Sequence, residues 1–342
     1  MENLMRILYV NNLNQTAETF GKDLTRRGHT VSVYEPSLVG GLAPLPLKLA
    51  MMPGRILDMR HIVGKFSPNY FDIIHIHWAS YGVLGLVSRV PFIVHCRGSD
   101  VRYRLKQPFF HAGLTYILRR AAVVLCSTPD LVPIIQSVRP DALFFPGPVD
   151  TERFAPDENE QSHPWTILLF ARLDAIKGCE ITVQGIARFA RRHPEVRVKL
   201  LDWGSEKEQY KRRYGGHFEF VPFVAQELVQ PLICSADVVV GQVFLGAFGL
   251  SELQAMSCAK PVIASFRCEE AYPIPPSVCQ AATVQEVDEH LEHFFQYPEA
   301  AKELGQSARK WVIGYHSRQV LAVKLEMLYQ SILGGQSSFP LV

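Results

Sequence analysis

Two basic residues five positions apart, Arg172 and Lys177, stand at and just after the end of the apolar run 166–171. Cations at the end of a buried strand can stabilise charge that grows on a departing anion, and need no metal to do so. Further on, Gly249 separates an apolar run from a helix-like stretch that opens with Leu250, Ser251 and Glu252. Glycine lets a backbone approach a ligand closely, and the unpaired N–H groups of a helix start attract anions. A glycine before a helix is, taken alone, more often a structural turn. In the first half, HCRGSD (95–100) sets Arg97 and Asp100 around a Gly-Ser turn after another apolar run, and IHIHW (74–78) ends on His77 and Trp78. His95 reads more simply as a core histidine, and His77 divides evenly between core packing and a ligand role. Asn11 and Asn12 occupy the first strand-to-helix loop; asparagine tolerates left-handed backbone and can hydrogen-bond a sugar.

The elements that must position these residues follow a repeating pattern. Strand-like runs lie at 6–10, 30–34, 72–78, 91–96, 122–127 and 142–146, with helical stretches between them, such as the one from Thr16 that stops at Gly28. Several runs are continuous Val, Ile and Leu, as expected of strands covered on both faces of a parallel sheet. The segment 146–164, rich in Pro and acidic residues, reads as a linker. The pattern restarts at 166–172, 196–202, 218–223, 237–242 and 261–265. Helical spacing from about Trp311 to Leu333 forms the last element, before a frayed tail. The fold class expected is α/β, two Rossmann-like, doubly wound parallel-sheet domains. The boundaries expected are 1–150, 151–316, and a C-terminal helix and tail at 317–342 that returns to the first domain. Ligands in such sheets sit at the carboxyl ends of the strands, so a cleft between the two domains is the natural place for a site.

A chain of 342 residues, 48% hydrophobic and 20% charged, has the composition of an ordinary globular protein of two domains. The opening residues do not read as a signal peptide, and no apolar stretch is long enough to span a bilayer. Seven scattered cysteines without a C-x-x-C pair read as buried free thiols of a reducing cytoplasm. Neither an Asp-x-Asp nor a His/Cys cluster with metal-ligand spacing is visible, so no metal cofactor is implied. Residues 1–150 hold 16 Lys and Arg against 10 Asp and Glu, while the rest holds 19 against 23. A basic first half suits an anionic partner such as an acidic membrane or a lipid diphosphate, or is simply a solvated face. The stretch 42–66 interleaves apolar residues with Lys48, Arg55, Arg60 and Lys65. It can rest on an anionic membrane, although an amphipathic helix packed on the sheet is the simpler reading.

Several motifs together resemble the retaining, nucleotide-sugar-dependent glycosyltransferases of family four (group 1), which have the GT-B fold. They are ILLFARLDAIKG (167–178), LLDWGSEKEQY (200–210), FVPFVAQELVQPLICSADVVV (220–240), GAFGLSELQAMSCAKPVIAS (246–265) and FPGPVDTERFAP (145–156), with DIIHIHW and HCRGSD in the first half. The resemblance runs through nearly the whole chain. It implies a hexosyltransferase-type enzyme of polysaccharide or glycoconjugate biosynthesis. It gives Arg172 and Lys177 the role of stabilising the leaving diphosphate, with the Gly249 and Leu250 amides opposite. Ser251, Gln254, Arg97 and Trp203 join them as donor-binding residues, Gln254 on the ribose, and Asp100 borders the donor sugar. The acceptor, a glycan, lipid or small molecule, falls to residues 1–145. Nucleic acid is not an expected partner. The location expected is the cytoplasm, with peripheral contact to the inner face of the membrane through the basic half.

One departure concerns the two glutamates that family members carry around the donor helix. Gly246 and Gln254 occupy those positions here, and Glu252 falls on a different face of the helix. Gln254 can still hydrogen-bond a ribose, whereas Gly246 offers no side chain. Two alternatives therefore stay open: a degenerate homologue that binds nucleotide sugar or glycan without turnover, and a sugar-nucleotide epimerase. A dinucleotide-dependent oxidoreductase is disfavoured because neither first strand-to-helix loop has G-x-G-x-x-G.

Overall fold

The computed structural model describes residues 4–36, 66–157 and 163–336. Its strands form two all-parallel sheets. The first holds β1 (Arg6–Val10), β2 (Thr30–Tyr34), β3 (Ile73–His77), β4 (Phe92–Cys96), β5 (Val123–Cys126) and β6 (Leu143–Phe144), in the order β2-β1-β3-β4-β5-β6. Around it lie α1 (Thr16–Arg26), α2 (Gly82–Val87), α3 (Pro108–Arg120) and α4 (Val132–Gln136). The second holds β7 (Thr166–Leu169), β8 (Arg197–Leu201), β9 (Glu219–Val221), β10 (Val238–Val240), β11 (Val262–Ala264) and β12 (Cys279–Gln280), in the order β12-β11-β10-β7-β8-β9. Its helices are α5 (Cys179–Arg192), α6 (Lys207–Tyr214), α7 (Gln226–Cys234), α8 (Leu250–Ser257), α9 (Val284–Gln296) and α10 (Pro298–His316), and α11 (Arg318–Leu333) follows. The short β12 lacks the apolar run that marks the others.

The strands expected to be continuous and apolar are the covered ones: every residue of β3, β4, β5, β7 and β10 is buried. Strand order reverses between β1 and β3 in one sheet and between β7 and β10 in the other. At such a switch point the loops leaving two neighbouring strands diverge and open a crevice at their carboxyl ends. Gly28 ends the first helix as its sequence suggests, in the left-handed conformation at φ +95°.

The chain divides into one compact unit of Met1–Pro148 with Arg318–Val342 and a second of Val149–Ser317. The helical tail read as one element from Trp311 is broken, since Ser317 takes an extended conformation between α10 and α11. The linker reading of 146–164 also changes. Phe154 is buried, and its carbonyl accepts hydrogen bonds from Ser257 Oγ at 2.6 Å and Arg309 Nη1 at 3.0 Å. Of the basic stretch 42–66, only Phe66 falls within the described residues.

Helix α11 packs on α1 and closes the core of the first unit with Leu321, Leu325, Leu328 and Tyr329. Its first residue, Arg318, is buried and donates to Asp23 Oδ2 at 2.7 Å. Removing Arg318 leaves the buried Asp23 carboxylate to its pairing with the more exposed Arg26, in a medium that solvates it poorly. Arg318→Ala should therefore cost about 3 kcal/mol in urea unfolding. A midpoint within error of the parent's would show that this pair does not hold α11 in place.

Candidate functional site

At the switch point of the second sheet, Val240 pairs with Leu169, so the loops leaving β7 and β10 start side by side. The β7 loop carries Arg172, half-exposed, with its Nε 3.3 Å from Asp174 and its guanidinium 5.5 Å over the Trp203 ring. Burial would raise the Asp174 carboxyl. The hydrogen bonds from Ser205 and the charges of Arg172 and Lys177 outweigh it and hold the carboxyl below its usual range. Lys177 ends a single 3-10 turn, and Gly178 follows at φ +74°. A Cβ at Gly178 would meet Val243 at 2.7 Å, so glycine is what lets the β10 loop lie against this turn. There the Val243 N–H donates to the Lys177 carbonyl at 3.1 Å. The β8 loop is drawn in likewise: Leu173 N–H donates to Trp203 O at 2.7 Å, and Gly204, at φ +131°, lies against the Leu173 backbone. Arg172, Lys177, Trp203 and the β10 loop thus share the carboxyl edge of one sheet.

Helix α8 begins at this edge, with the two amides expected to hold a diphosphate in different surroundings. The Gly249 N–H is already taken, donating to Glu252 Oε2 at 2.9 Å, while the Gln242 N–H donates to Glu252 Oε1, also at 2.9 Å. Glu252 caps its own helix and ties the loop back to the end of β10. Leu250 and Ser251 remain half-open at the first turn, where amides have no intrahelical acceptor. Gln254 is buried within the helix. Gln242 braces the same loop, accepting from Leu245 N–H at 2.8 Å and donating to Ala247 O. Neither brace stood out in the sequence, because both act on backbone groups that no motif displays. Glu252→Ala leaves two amides without acceptors and should lower stability by about 2–3 kcal/mol. Glu252→Gln, which keeps one acceptor, should lose less, as read by thermal unfolding.

Gly246 is more than a lost carboxylate. It sits at φ +70°, and a side chain there would meet Arg267 Nε at 2.5 Å. Any L-residue at this position would be strained as well as crowded.

In the first unit the switch point lies between β1 and β3. Asn11 takes the left-handed conformation at φ 72° and donates through Nδ2 to the His77 carbonyl at 2.7 Å, locking the β1 loop to the end of β3. Asn12 Oδ1 accepts from Glu18 N–H at 3.2 Å. Asp100 is fully buried, and its carboxylate accepts N–H groups of Ala79, Arg97 and Gly98 at 2.8–2.9 Å. Burial pushes its pKa up against those amides. Asp100 therefore shapes its loop. Arg97 donates through Nη2 to Thr16 Oγ1 at 2.7 Å, while its Nη1 is buried without a partner. Burial lowers this guanidinium to about 10.

Strands β3 and β4 bring together three histidines that no linear spacing revealed. His75, His77 and His95 are fully buried, with ring nitrogens within 4.8 Å of one another. His75 Nδ1 lies 2.6 Å from Tyr329 Oη, and His75 Nε2 lies 3.2 Å from His95 Nδ1. His95 donates through Nε2 to the Phe145 carbonyl at 3.0 Å. With Tyr9, whose hydroxyl is 3.0 Å from that of Tyr329, they form a chain that neutral rings satisfy end to end. His77 stacks on His75 at 4.5 Å and, among the described residues, has no hydrogen-bond partner for either ring nitrogen. Three nitrogens so close can in principle hold one ion. Two of them already bond each other, and the Arg97 charge faces the group, so a cation is disfavoured here.

The family model for glycosyl transferases group 1 matches residues 164–284, and that for the glycosyl transferase 4-like domain matches 13–142. The chain belongs to the group 1 glycosyltransferases, family four, and has their GT-B fold. It is 24% identical over 263 residues to a D-inositol 3-phosphate glycosyltransferase of Geodermatophilus obscurus, a match covering 66% of this chain and 58% of that relative. The structure of Anabaena HepE in complex with UDP and glucose superposes with a TM-score of 0.72 at 14% identity, covering 96% of this chain and 100% of that one. The sucrose-phosphate synthase of Thermosynechococcus elongatus gives a TM-score of 0.74 at 17% identity, covering 96% and 99%. Among the described residues, no helix is long and apolar enough to cross a membrane.

Proposed function

We propose that this chain transfers a sugar from a nucleoside-diphosphate sugar to an acceptor held by its first unit, with retention of anomeric configuration. The observation that carries the reading is the gathering of Arg172, Lys177 and the open first turn of α8 at the switch point of the second sheet. Two cations and free amides there suit a diphosphate, whose charge grows as the sugar departs. Trp203, beneath the Arg172 guanidinium, offers an exposed aromatic face beside it. HepE, of the same fold, is described in complex with UDP and glucose, which supports a uridine nucleotide as the first donor to try. The acceptor is a glycan, a lipid-linked species or a small molecule.

A thermal-shift screen with UDP, ADP and GDP, followed by assay of donor-sugar hydrolysis, tests this. A bound nucleotide at a hundred times its Kd stabilises by about 2.7 kcal/mol, a shift of several degrees. No shift with any of the three would sink the reading. The buried Glu252 and the absent side chain at Gly246 favour a second reading, binding without turnover. A clear shift with no nucleoside diphosphate released from any donor would select it.

A further inference from the structure

Arg267 leaves β11 at the same carboxyl edge, next to the loop that leaves β10, since Val240 pairs with Ile263. Phe266, just before it, stacks on Phe248 at 4.5 Å, and Phe248 immediately precedes Gly249. Arg267 is therefore a near neighbour of the first turn of α8. Its side chain crosses the β10 loop, where Gly246 has no Cβ to obstruct it. The Arg267 N–H donates to the Gly246 carbonyl at 2.9 Å, and Nη2 donates to the Phe244 carbonyl at 2.5 Å. The guanidinium is held from below by backbone, yet the residue is exposed and, among the described residues, pairs with no carboxylate. Glu269 and Glu270, the acids nearest in the chain, are exposed and form no salt bridge with it among the described residues.

A guanidinium offers donors only, in a fork that matches a carboxylate. A neutral sugar's hydroxyls also need acceptors, and the two acids beside the diphosphate site are already engaged. Glu252 is spent on two amides, and Asp174 is held by Ser205 and Arg172. The diphosphate already has Arg172, Lys177 and the start of α8. Resting on the donor site of the proposed function, we propose that Arg267 binds a carboxylate on the transferred sugar, so that the preferred donor is a nucleoside-diphosphate hexuronate.

Titration calorimetry with UDP, UDP-glucose and UDP-glucuronate as probes, or the matching series on whichever base the thermal screen selects, tests this. The parent protein should bind the hexuronate at least about tenfold more tightly than the hexose, a difference of about 1.4 kcal/mol. Arg267→Ala should erase that difference and leave the affinity for the bare diphosphate unchanged, and Arg267→Lys should retain part of it. Equal affinity for the two sugars in the parent would overturn the proposal. So would an Arg267→Ala variant that loses affinity for UDP and for the hexuronate alike, since the arginine would then serve the diphosphate. Failure of every nucleoside diphosphate to bind would instead defeat the donor site itself, and this proposal with it.

Discussion

Replacing Lys177 with alanine is expected to lower the rate of sugar transfer by about 10²–10³-fold with little change in stability. Removing one pre-positioned donor from a site of developing negative charge has a cost of this size. The loss should fall on kcat more than on KM, because the charge that Lys177 meets grows as the glycosidic bond breaks. The structure separates this effect from folding. The backbone carbonyl of Lys177 receives the Val243 N–H, whereas its side chain makes no hydrogen bond or ion pair among the described residues. Truncation thus leaves the docking of the β10 loop intact. Steady-state release of nucleoside diphosphate, measured beside the thermal midpoint, checks both halves. Unchanged turnover would remove Lys177 from the diphosphate site, and a large fall in the midpoint would show that the side chain supports the loop.

The second large effect is acid instability of the first unit. Burial takes His75 down to about 3, with the charge of Arg97 adding to it, and lowers His77 and His95 well below the usual histidine range. Each is thus neutral when folded and titrates near 6.5 when unfolded. Below that pH the unfolded chain binds more protons than the folded one. The stability these groups contribute is fully present above about 6.5 and is lost as pH falls from there toward 3. Each histidine that stays neutral while its unfolded counterpart protonates costs about 1.4 kcal/mol per pH unit, so the three together make a steep acid limb. His77→Phe keeps a flat ring in the stack and removes both unpartnered nitrogens. It should make the acid limb shallower by about one proton in urea unfolding between pH 7 and 5. An acid limb of the same slope in the variant would mean that His77 does not titrate as its burial requires.

Much of this architecture is local and therefore readable along the chain. The runs that became β1, β3, β4, β7 and β10 announce themselves because a strand covered on both faces must be apolar throughout. Gly28 marks a helix boundary because its left-handed turn needs backbone that other residues resist. Arg172 and Lys177 were legible as cations placed at the end of an apolar run.

What the sequence could not display are pairings between residues far apart in it. Arg318 meets Asp23, and Tyr329 meets His75, only because α11 packs beside α1. His77 and His95 become neighbours through the register of two strands, which no spacing within either strand records. Glu252 read as an acid on the wrong face of its helix. The fold gives it two backbone amides, because a buried carboxylate must find donors wherever the chain supplies them. Gly246 read as a lost carboxylate, and only the fold shows the arginine lying across it. The sequence by itself determined two parallel-sheet units and the cations at the carboxyl edge of the second. Tertiary structure decided which of the motif's polar groups remain open to a ligand, since burial and hydrogen-bond satisfaction belong to the whole packed unit and to no segment of it.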